Sequence, residues 1–535
     1  MALLLVAYYV CLAVVSSAIV VLLLDIRKWL RMPPGPLPLP FLGNKLSLPA
    51  SKPWVQFEQW ARIYGPIFTI WIGRRPTVII SDPTVAVELM EKRSAKYSSR
   101  PRFVAMGELF SDMSSILVQP YGKKWSMYRK LLHQGLTPSA LRLYKPVQTA
   151  EASRLCYQLL CNPGDWEMLL DRFTAGIVFV VSYGHRIDSM DAKVIRKQFE
   201  VMQYMASLNV PGAYLVESLP FLKYLPTVIA PWKQEIIDHG LEQARESINL
   251  LNSVRRDIAN AEATGTPIQE SLAKLLLETR ASAAPGMNER EFASIPLSLF
   301  GAGSDTTAST LCSAFLALVT HPEALRAAQA ELDAVVGSER SPTYEDEPRL
   351  PYLKALIKEV LRWRPVAVLG GTPHASTEDD YYEGFYIPAG TTVLGNTWAI
   401  NLNEEYYPNP HHFNPKRFLG DEGALASEKS DMERGRKTHP AKSGHSSFGW
   451  GRRICPGADI AMNNLVIALG KLLWAFDILA IPGYKYDIFA YTEGFNIRPL
   501  HFECVIKPRS EKHRQVVEAE YMEAMEVMAR FPPFE

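Results

Sequence analysis

The chain begins with an uncharged, strongly apolar run of 22 residues from Leu3 to Leu24. Coiled as an α-helix, this run would be about 33 Å long, enough to cross the hydrocarbon core of a bilayer. Arg27, Lys28 and Arg31 follow it directly, whereas no basic side chain precedes it. Under the positive-inside rule, this pattern predicts a single-pass transmembrane helix with everything after residue 25 in the cytosol.

A cleaved signal peptide is the alternative, because Ser16, Ser17 and Ala18 resemble a cleavage site. The run has no basic n-region, however, and it continues for six residues past Ala18. We therefore expect a retained membrane anchor over residues 1–32. The proline-rich stretch 33–40 cannot continue a helix, and it is expected to act as a stiff spacer between the anchor and the rest of the chain.

The amino-acid composition limits the class of protein that the chain can form. The 535 residues allow two or three average domains or one large enzyme fold, and 47% of them are hydrophobic. With 57 basic and 56 acidic residues, the net charge of +1 gives no indication of a nucleic-acid partner. The scattered cysteines do not suggest a disulfide framework, which fits a reducing compartment; they are Cys11, Cys156, Cys161, Cys312, Cys455 and Cys504.

Cys455 lies in a glycine-rich stretch, residues 448–457, that carries the strongest functional signal. Its nearest Cys or His neighbour is His445, so a zinc site with closely spaced ligands is not expected. A single thiolate suits a metal whose other ligands come from elsewhere, such as the iron of haem. A buried free cysteine beside a glycine turn is the simpler alternative.

The neighbours of Cys455 support a haem ligand. Gly451 and Gly457 allow backbone conformations that bulkier residues avoid, and Pro456 suits the first position of a helix. The amides of Gly457 and Ala458 would then be free to donate hydrogen bonds to the sulfur and tune the iron. The Arg453 side chain would reach a haem propionate as a charge-assisted pair.

A second motif, Gly301 to Thr307, lies in an apolar helical stretch from about residue 291 to 320. Burying an acid beside two hydroxyls costs free energy unless these groups are bonded. We interpret Thr306 as a hydrogen-bond donor at an oxygen-binding site and Asp305 as its link to bulk protons. Hydroxyl bonding within the helix and an ordinary ion pair of Asp305 are the alternatives.

The stretch around Cys455 resembles the thiolate signature of the cytochrome P450 family, the haem-thiolate monooxygenases, and the Gly301–Thr307 motif is similar to that family's oxygen-activation motif. The resemblance covers residues 33–507. It implies a mainly α fold with smaller β-sheets, haem b as cofactor and Cys455 as the axial iron ligand. Residues 508–535 lie beyond it, and we expect them to form a C-terminal helical extension.

Further site residues follow from the resemblance. Trp125, Arg129 and His374 match propionate-binding positions, together with Arg453, although the family often has arginine where this chain has His374. Glu359 and Arg362 lie at i and i+3 on a predicted helix. With Arg417 they match the family's three-way salt-bridge network, a structural element.

Periodicity gives a coarse order of elements. A hairpin is predicted from Phe68–Gly73 and Thr77–Ile80, further strands near residues 385–388 and 391–394, and helices over most of 140–330. Residues 420–443 are charged and rich in Gly, Ser and Lys, which favours an exposed loop. From Glu511 to Arg530 one apolar helical face recurs, which predicts a helix packed on the domain surface.

The resemblance also implies partners. The chain has no glycine-rich dinucleotide motif after a strand, so its electrons are expected from a separate NADPH-cytochrome reductase, with cytochrome b5 as a second candidate. The reductase is expected to dock on a basic patch, which comprises Lys123, Lys124, Lys130, Lys442 and Arg452. The alternative is that these residues are ordinary solvated surface charges. The expected substrate is a lipophilic small molecule, and its candidate pocket residues are Phe103, Met106, Phe110, Met113, Ile116, Phe300, Ala302, Val366, Val368, Leu369 and Phe495.

Within the family, residues 377–384 and 396–399 look like the membrane-bound fungal enzymes that tailor natural products, the O-methylsterigmatocystin oxidoreductase-like group. We therefore expect an enzyme of the endoplasmic reticulum membrane that inserts one oxygen atom from O2 into a lipophilic metabolite. A haem-thiolate isomerase or dehydratase that does not use O2 is one alternative. A non-catalytic haem binder or sensor is the other, although no output domain is visible.

Overall fold

The computed structural model of the chain describes residues 1–208, 214–419 and 437–534. Most of these residues are helical, as the sequence predicts. The helices are α1 Ala2–Trp29, α2 Pro53–Tyr64, α3 Pro83–Ala86, α4 Ser94–Tyr97, α5 Lys123–Gln134, α6 Pro138–Cys161, α7 Trp166–Tyr183, α8 Lys193–Leu208, α9 Leu215–Ser218, α10 Pro231–Thr264, α11 Leu272–Ala283, α12 Glu289–Thr320, α13 Pro322–Val335, α14 Pro351–Trp363, α15 Thr397–Asn401, α16 Ala458–Ala475 and α17 Glu511–Met528.

Short strands form three small sheets. They are β1 Ile67–Ile72, β2 Arg75–Ile80, β3 His374–Ala375, β4 Asp380–Tyr382, β5 Phe385–Ile387, β6 Thr392–Gly395, β7 Phe476–Leu479 and β8 Val505–Pro508. The largest sheet has the order β1-β2-β6-β3, and its β1–β2 hairpin confirms the sequence prediction. Strand β6 joins β2 in parallel, whereas β4–β5 and β7–β8 form separate antiparallel pairs. The mainly α fold class with smaller sheets is therefore confirmed.

Helix α12 forms the centre of the fold and is apolar for nearly its whole length. It begins at a capping box in which the Asn288 side chain and Glu291 exchange hydrogen bonds with each other's backbone. It continues through Pro296 without ending. From Thr307 to Val319 every residue of α12 is buried, which anchors the helix in the main core.

Helix α1 has the length and apolar character of a membrane span, with a mean hydropathy of 2.5 in its most apolar 18-residue window. Its last turn is attached to the domain, because both carboxylate oxygens of Asp25 accept hydrogen bonds from Arg74, at 2.8 and 3.0 Å. The rings of Trp29 and Trp71 pack edge to face at 5.8 Å. Helix α16 is long enough to cross a membrane but less apolar, with a mean hydropathy of 1.2, and it is mostly buried in the core.

The predicted C-terminal helix is present as α17, and it packs along α6. Tyr521 stacks on Tyr157 with ring centroids 3.9 Å apart. Glu520 forms an ion pair of 2.7 Å with Lys471 of α16, whose side chain is only 4% exposed. Residues 420–436 of the predicted loop lie outside the described residues, whereas residues 437–443 form neither helix nor strand.

Candidate active site

The turn that presents Cys455 depends on Gly451. Gly451 has φ +54°, and a Cβ added there would lie 2.2 Å from the backbone oxygen of Met90, so no side chain fits without moving the chain. The Cys455 amide donates a 2.8 Å hydrogen bond to the carbonyl of Phe448, which closes the loop. Helix α16 begins three residues later at Ala458, so the sulfur is held between a rigid turn and a helix start.

Some groups around the Cys455 sulfur favour the thiolate, whereas burial favours the neutral thiol. Burial raises the pKa of the Cys455 thiol, while the N–H of Gly457 and the guanidinium of Arg129 act against this shift and lower it. The contact with Gly457 is the amide–sulfur hydrogen bond that the sequence predicts. A ligand sulfur with an amide donor and a nearby cation is the arrangement that a haem-thiolate site requires.

Arg453 and Trp125 meet beside this turn. The guanidinium of Arg453 donates to the carbonyls of Ser98 at 2.7 Å and Gln119 at 2.6 Å. Its central carbon lies 4.5 Å from the centre of the Trp125 ring. Burial, and next the charge of Arg129, lower the pKa of Arg453 to about 9. Since Trp125 and Arg129 lie one turn apart on α5, three of the predicted propionate ligands are together.

His374, the fourth predicted propionate ligand, lies on β3 and is buried. Its Nδ1 is 2.8 Å from the carbonyl oxygen of Tyr97, which leaves Nε2 for another partner. Burial, followed by the charge of Arg100, lowers the pKa of His374 to about 3, so the ring is neutral at physiological pH. The Tyr97 carbonyl only accepts, so the single N–H of the neutral ring is on Nδ1, and Nε2 can donate to an anion only when the ring is protonated.

Arg100 belongs to the same cluster, and the sequence reasoning missed it. Its guanidinium donates to the carbonyls of Leu117, Thr372 and Pro373. Burial and the charge of Arg453 lower its pKa well below the ordinary value. The only feature nearby in the sequence is Pro101, which disfavours a helical conformation at Arg100.

These cations have no acidic partner within residues 1–208, 214–419 and 437–534, where no Asp or Glu forms an ion pair with Arg100, Arg129 or Arg453. Partly buried guanidinium groups without a carboxylate are unfavourable unless an anion joins them. The two propionates of haem b have the charge and the hydrogen-bonding groups for this cluster. The residues present therefore fit the cofactor, because Arg129 lies close enough to lower the pKa of the Cys455 thiol and belongs to the same cation cluster.

The predicted oxygen-activation motif is at the open face of α12. Ala302 is exposed in a helix that is otherwise mostly buried, and the Thr306 hydroxyl, one turn later, donates to the Ala302 carbonyl at 2.8 Å. Gly303, three residues before Thr306, has a packing role. A Cβ there would lie 2.5 Å from a Val178 methyl group, so the glycine allows α7 and α12 to pack closely.

Asp305 lies next to Thr306 but has its own partner. Its Oδ2 accepts a 2.8 Å hydrogen bond from the Asn496 side chain, which comes from the chain segment before β8. Asp305 is half-buried, so its carboxylate lies between the interior and solvent. No feature of the sequence near Asp305 pointed to Asn496, because the two residues are 191 positions apart.

The three residues of the predicted salt-bridge network are together. Arg362 forms two hydrogen bonds of 2.7 Å with the Glu359 carboxylate, and both side chains are fully buried. Arg417 approaches the same carboxylate at 3.4 Å, and the Asn414 amide donates to it at 2.9 Å. Arg362 also binds the carbonyl of Pro410, so the network fixes the segment that leads toward Cys455.

The fold brings only some of the predicted substrate-pocket residues together. Phe103, Met106, Phe110 and Met113 share one apolar cluster around the π-helical segment Val104–Phe110. Phe300 instead packs on Phe179 of α7, with centroids 5.6 Å apart, on a different side of α12 from Ala302. Of the basic patch, Lys124 is paired with Glu291 at 2.5 Å and Arg452 lies over Tyr121 at 5.2 Å.

Comparison with known proteins agrees with this geometry. The cytochrome P450 family model matches residues 33–503. Cytochrome P450 monooxygenase 58 of Postia placenta is 37% identical over 488 residues, with 89% of each chain covered. A cytochrome P450 monooxygenase of Armillaria gallica is 33% identical over 500 residues, with 92% of each chain covered. The chain therefore belongs to the cytochrome P450 family and is a haem b-dependent monooxygenase.

Proposed function

We propose that this enzyme oxidises a lipophilic small molecule of fungal secondary metabolism, inserting one oxygen atom from O2 with electrons from an NADPH-dependent reductase. The observation that carries the oxidative chemistry is the cation cluster beside Cys455, in which Arg100, Arg129 and Arg453 have no acidic partner among the described residues. The relatives from Postia placenta and Armillaria gallica support a fungal setting. Apolar residues around Phe103 and Met106 support a lipophilic substrate.

Each residue of the site has a defined task in this proposal. Cys455 would supply the thiolate that binds the haem iron, and the Arg100, Arg129, Arg453, His374 and Trp125 side chains would hold the propionates. When bound, haem with a thiolate ligand supplies the activation of O2 and favours cleavage of the O–O bond. Thr306 orients a proton donor at the open face of α12, and Asp305 supplies protons to it.

The position in the cell follows from α1. Its apolar surface and the cations after it support a single-pass anchor in the endoplasmic reticulum membrane, with the catalytic domain in the cytosol. A reductase in the same membrane would approach the face that carries Lys123, Lys130 and Arg452, since all three side chains are exposed and basic. Cytochrome b5 is a second candidate electron donor at this face.

Expression of the full chain in yeast microsomes with a fungal NADPH-cytochrome reductase tests the proposal. The reduced, carbon monoxide-treated membranes should have the Soret shift of a thiolate ligand, and a Cys455→Ala variant should lose it. Incubation with extracts of fungal metabolites under isotopically labelled O2 should give products that carry one labelled oxygen. A normal spectrum with products that contain no label would favour the isomerase or dehydratase alternative.

A Thr306→Ala variant tests the proton step. We expect product formation to fall by about 100-fold while NADPH is still consumed, because one positioned proton donor contributes on this scale. Thr320→Ala is the matched control, since the Thr320 hydroxyl makes the same type of bond within α12, to Leu316 at 2.7 Å, far from the site. Equal product yields from both variants would contradict the role of Thr306.

A further inference from the structure

A short tail, residues 529–534, follows α17 and packs against the end of α7. The amide of Arg186, just after α7, donates to the Pro532 carbonyl at 3.0 Å, and the Phe534 amide donates to the Arg186 carbonyl at 3.2 Å. Phe531 is buried and belongs to one apolar cluster with residues of α6 and α7. Backbone hydrogen bonds on both sides of Arg186 therefore fix the position of Phe534.

Phe534 is the first ring of a row of three that reaches α12. Its ring packs edge to face on Phe179 of α7, with centroids 5.3 Å apart, and Phe179 packs in the same way on Phe300 of α12 at 5.6 Å. Phe179 and Phe300 are fully buried, whereas Phe534 is half-buried. Such aromatic contacts add attraction beyond the area that they bury. The row therefore connects the surface of the domain with its central helix.

The α7–α12 interface next to this row leaves little room for either helix to shift. A Cβ added to Gly303 would lie 2.5 Å from a Val178 methyl group, so the two helices are in close contact. The Thr174 hydroxyl lies 2.6 Å from the Ser304 carbonyl oxygen, and both residues are fully buried. Interiors packed this densely have low compressibility and transmit strain. A change in the packing of Phe179 is therefore expected to act on this part of α12.

The part of α12 that contacts Phe179 carries the predicted oxygen-activation motif. Ala302 is two residues after Phe300, and its carbonyl accepts the hydrogen bond of the Thr306 hydroxyl at 2.8 Å. These residues belong to one continuous helix, so a shift of Phe300 also displaces Ala302 and Thr306. A displacement of about 1 Å in a catalytic site can reduce the rate about 100-fold. The packing of Phe300 therefore affects the placement of Thr306.

We propose that the tail positions the active-site segment of α12, because Phe534 supports Phe179 and Phe179 supports Phe300. Phe534 acts through two other rings, so it is a positioning residue and not a catalytic one. The proposal rests on the proposed role of Thr306. The tail lies beyond the family match, so this support comes from the C-terminal extension of this chain.

Hydrogen exchange of the haem-containing full chain, measured by mass spectrometry, tests the row without turnover. In Phe534→Ala, the amides of residues 300–306 should exchange about tenfold faster relative to those of α16, which is within the range of coupling between contacting residues. Phe534→Leu keeps most of the apolar volume and should restore the wild-type ratio of the two exchange rates. An unchanged ratio in Phe534→Ala would overturn the proposal.

Tyr521→Ala is the matched control, because it removes another ring of the same extension. Tyr521 stacks on Tyr157 of α6 with centroids 3.9 Å apart, and this pair is separate from the row. The variant should lower the unfolding midpoint without changing the exchange ratio of α12 to α16. If Tyr521→Ala changed this ratio as much as Phe534→Ala does, general loosening of the extension would explain the effect, and the specific role of Phe534 would be wrong.

A double-mutant cycle tests whether Phe534 acts through Phe179. The measured quantity is the rate at which carbon monoxide recombines with the haem after flash photolysis, which depends on the packing of the residues beside the iron. Phe534→Ala should make recombination about threefold faster, at the low end of coupling between contacting residues. In a Phe179→Leu background the same substitution should add little. Equal acceleration in both backgrounds, or none in either, would overturn the route through Phe179.

Two outcomes separate this inference from the proposed function. If the wild type lacks the thiolate-type Soret shift with carbon monoxide, the proposed function is wrong and the row has no catalytic role. If the spectrum is normal but Phe534→Ala behaves like Tyr521→Ala in both measurements, only the positioning role of the tail is overturned.

Discussion

Two charged clusters border the candidate haem site, and they differ in charge balance. In the first, Glu359 lies between Arg362 and Arg417, and its carboxylate accepts hydrogen bonds from side chain and backbone. The second comprises Arg100, Arg129, Arg453 and His374. Arg100, Arg453 and His374 form hydrogen bonds with carbonyl groups, and none of the three arginines forms an ion pair with an acid of the described residues. The first cluster contains its own anion, whereas the second does not.

The contrast separates structural charges from functional ones. A buried ion pair offsets its desolvation by its own attraction, so it can form before any ligand arrives. Cations without an anion cost free energy in the folded protein, and they are retained where a ligand supplies the missing charge. We therefore expect the Glu359 cluster to stabilise the fold and the arginine cluster to stabilise bound haem. The four predictions below test this division, from the largest effect to the smallest.

Glu359→Gln should have the largest effect, because it leaves buried guanidinium groups without their anion. The expected loss is about 3–5 kcal/mol of unfolding free energy in the haem-free protein. Urea unfolding followed by circular dichroism measures it. Glu378→Gln is the control, since Glu378 is 59% exposed and binds Lys96 at the surface, where such a pair contributes little. Equal midpoints for the two variants would contradict the structural role of Glu359.

Glu520→Gln should have a smaller effect of the same kind. It removes the anion from Lys471, whose side chain is 4% exposed, but Glu520 itself is 21% exposed, which reduces the cost. We expect a loss of about 2 kcal/mol. Glu518→Gln on the same helix is the matched control, because Glu518 pairs with Arg514 in solvent. If both variants melt at the same temperature, α17 is not held by this ion pair.

Arg129→Met, in the second cluster, should weaken haem binding without destabilising the haem-free protein. Removing a cation that has no acidic partner should leave the unfolding free energy of the haem-free protein unchanged or higher. The loss of one charge-assisted hydrogen bond, about 1.5 kcal/mol, should release haem roughly tenfold faster. Transfer of haem to apomyoglobin measures the rate. Destabilisation of the haem-free protein as large as that of Glu359→Gln would remove the distinction between the clusters.

His374→Gln should have the smallest effect, and it is visible only as a pH dependence. The pKa of His374 is about 3 in the folded chain against an ordinary value of 6.5. Between these two pH values the unfolded chain binds a proton that the folded chain does not, so the unfolding free energy falls as the pH decreases. The variant should flatten this slope in the haem-free protein. Bound haem should flatten it as well, because a propionate raises the pKa of His374; an identical slope with and without haem would contradict this.

Features of the fold could be predicted from the sequence where the residues that form them are close together along the chain. The turn around Cys455 was predictable because its glycines, proline and cysteine are contiguous, and the β1–β2 hairpin because its strands are adjacent. The parallel pairing of β2 with β6, over 300 residues later, left no local pattern. The predicted loop over 420–443 lies mostly outside the described residues.

In the candidate site, too, contacts between residues close in sequence could be predicted, whereas contacts between distant residues could not. Glu359 and Arg362 share one helical turn and could be paired from the sequence, whereas Asp305 and Asn496 are 191 positions apart. Arg100 has no motif, since its function depends on carbonyl groups of Thr372 and Pro373 that only the fold brings near. Residue identity could predict the ligand and the acid, but not the tertiary contacts that orient them.

Helix α17 has a consequence for biosynthesis. It covers α6 through Tyr521 and Tyr157, and the residues after it reach further, since Phe534 packs on Phe179 at 5.3 Å. The surfaces of α6 and α7 that this segment covers are synthesised hundreds of residues earlier. Those apolar surfaces stay exposed on the ribosome until the segment emerges, which makes the nascent chain dependent on chaperones during translation. Stop codons placed just before Glu511 should therefore reduce the yield of soluble catalytic domain more than they change its spectrum.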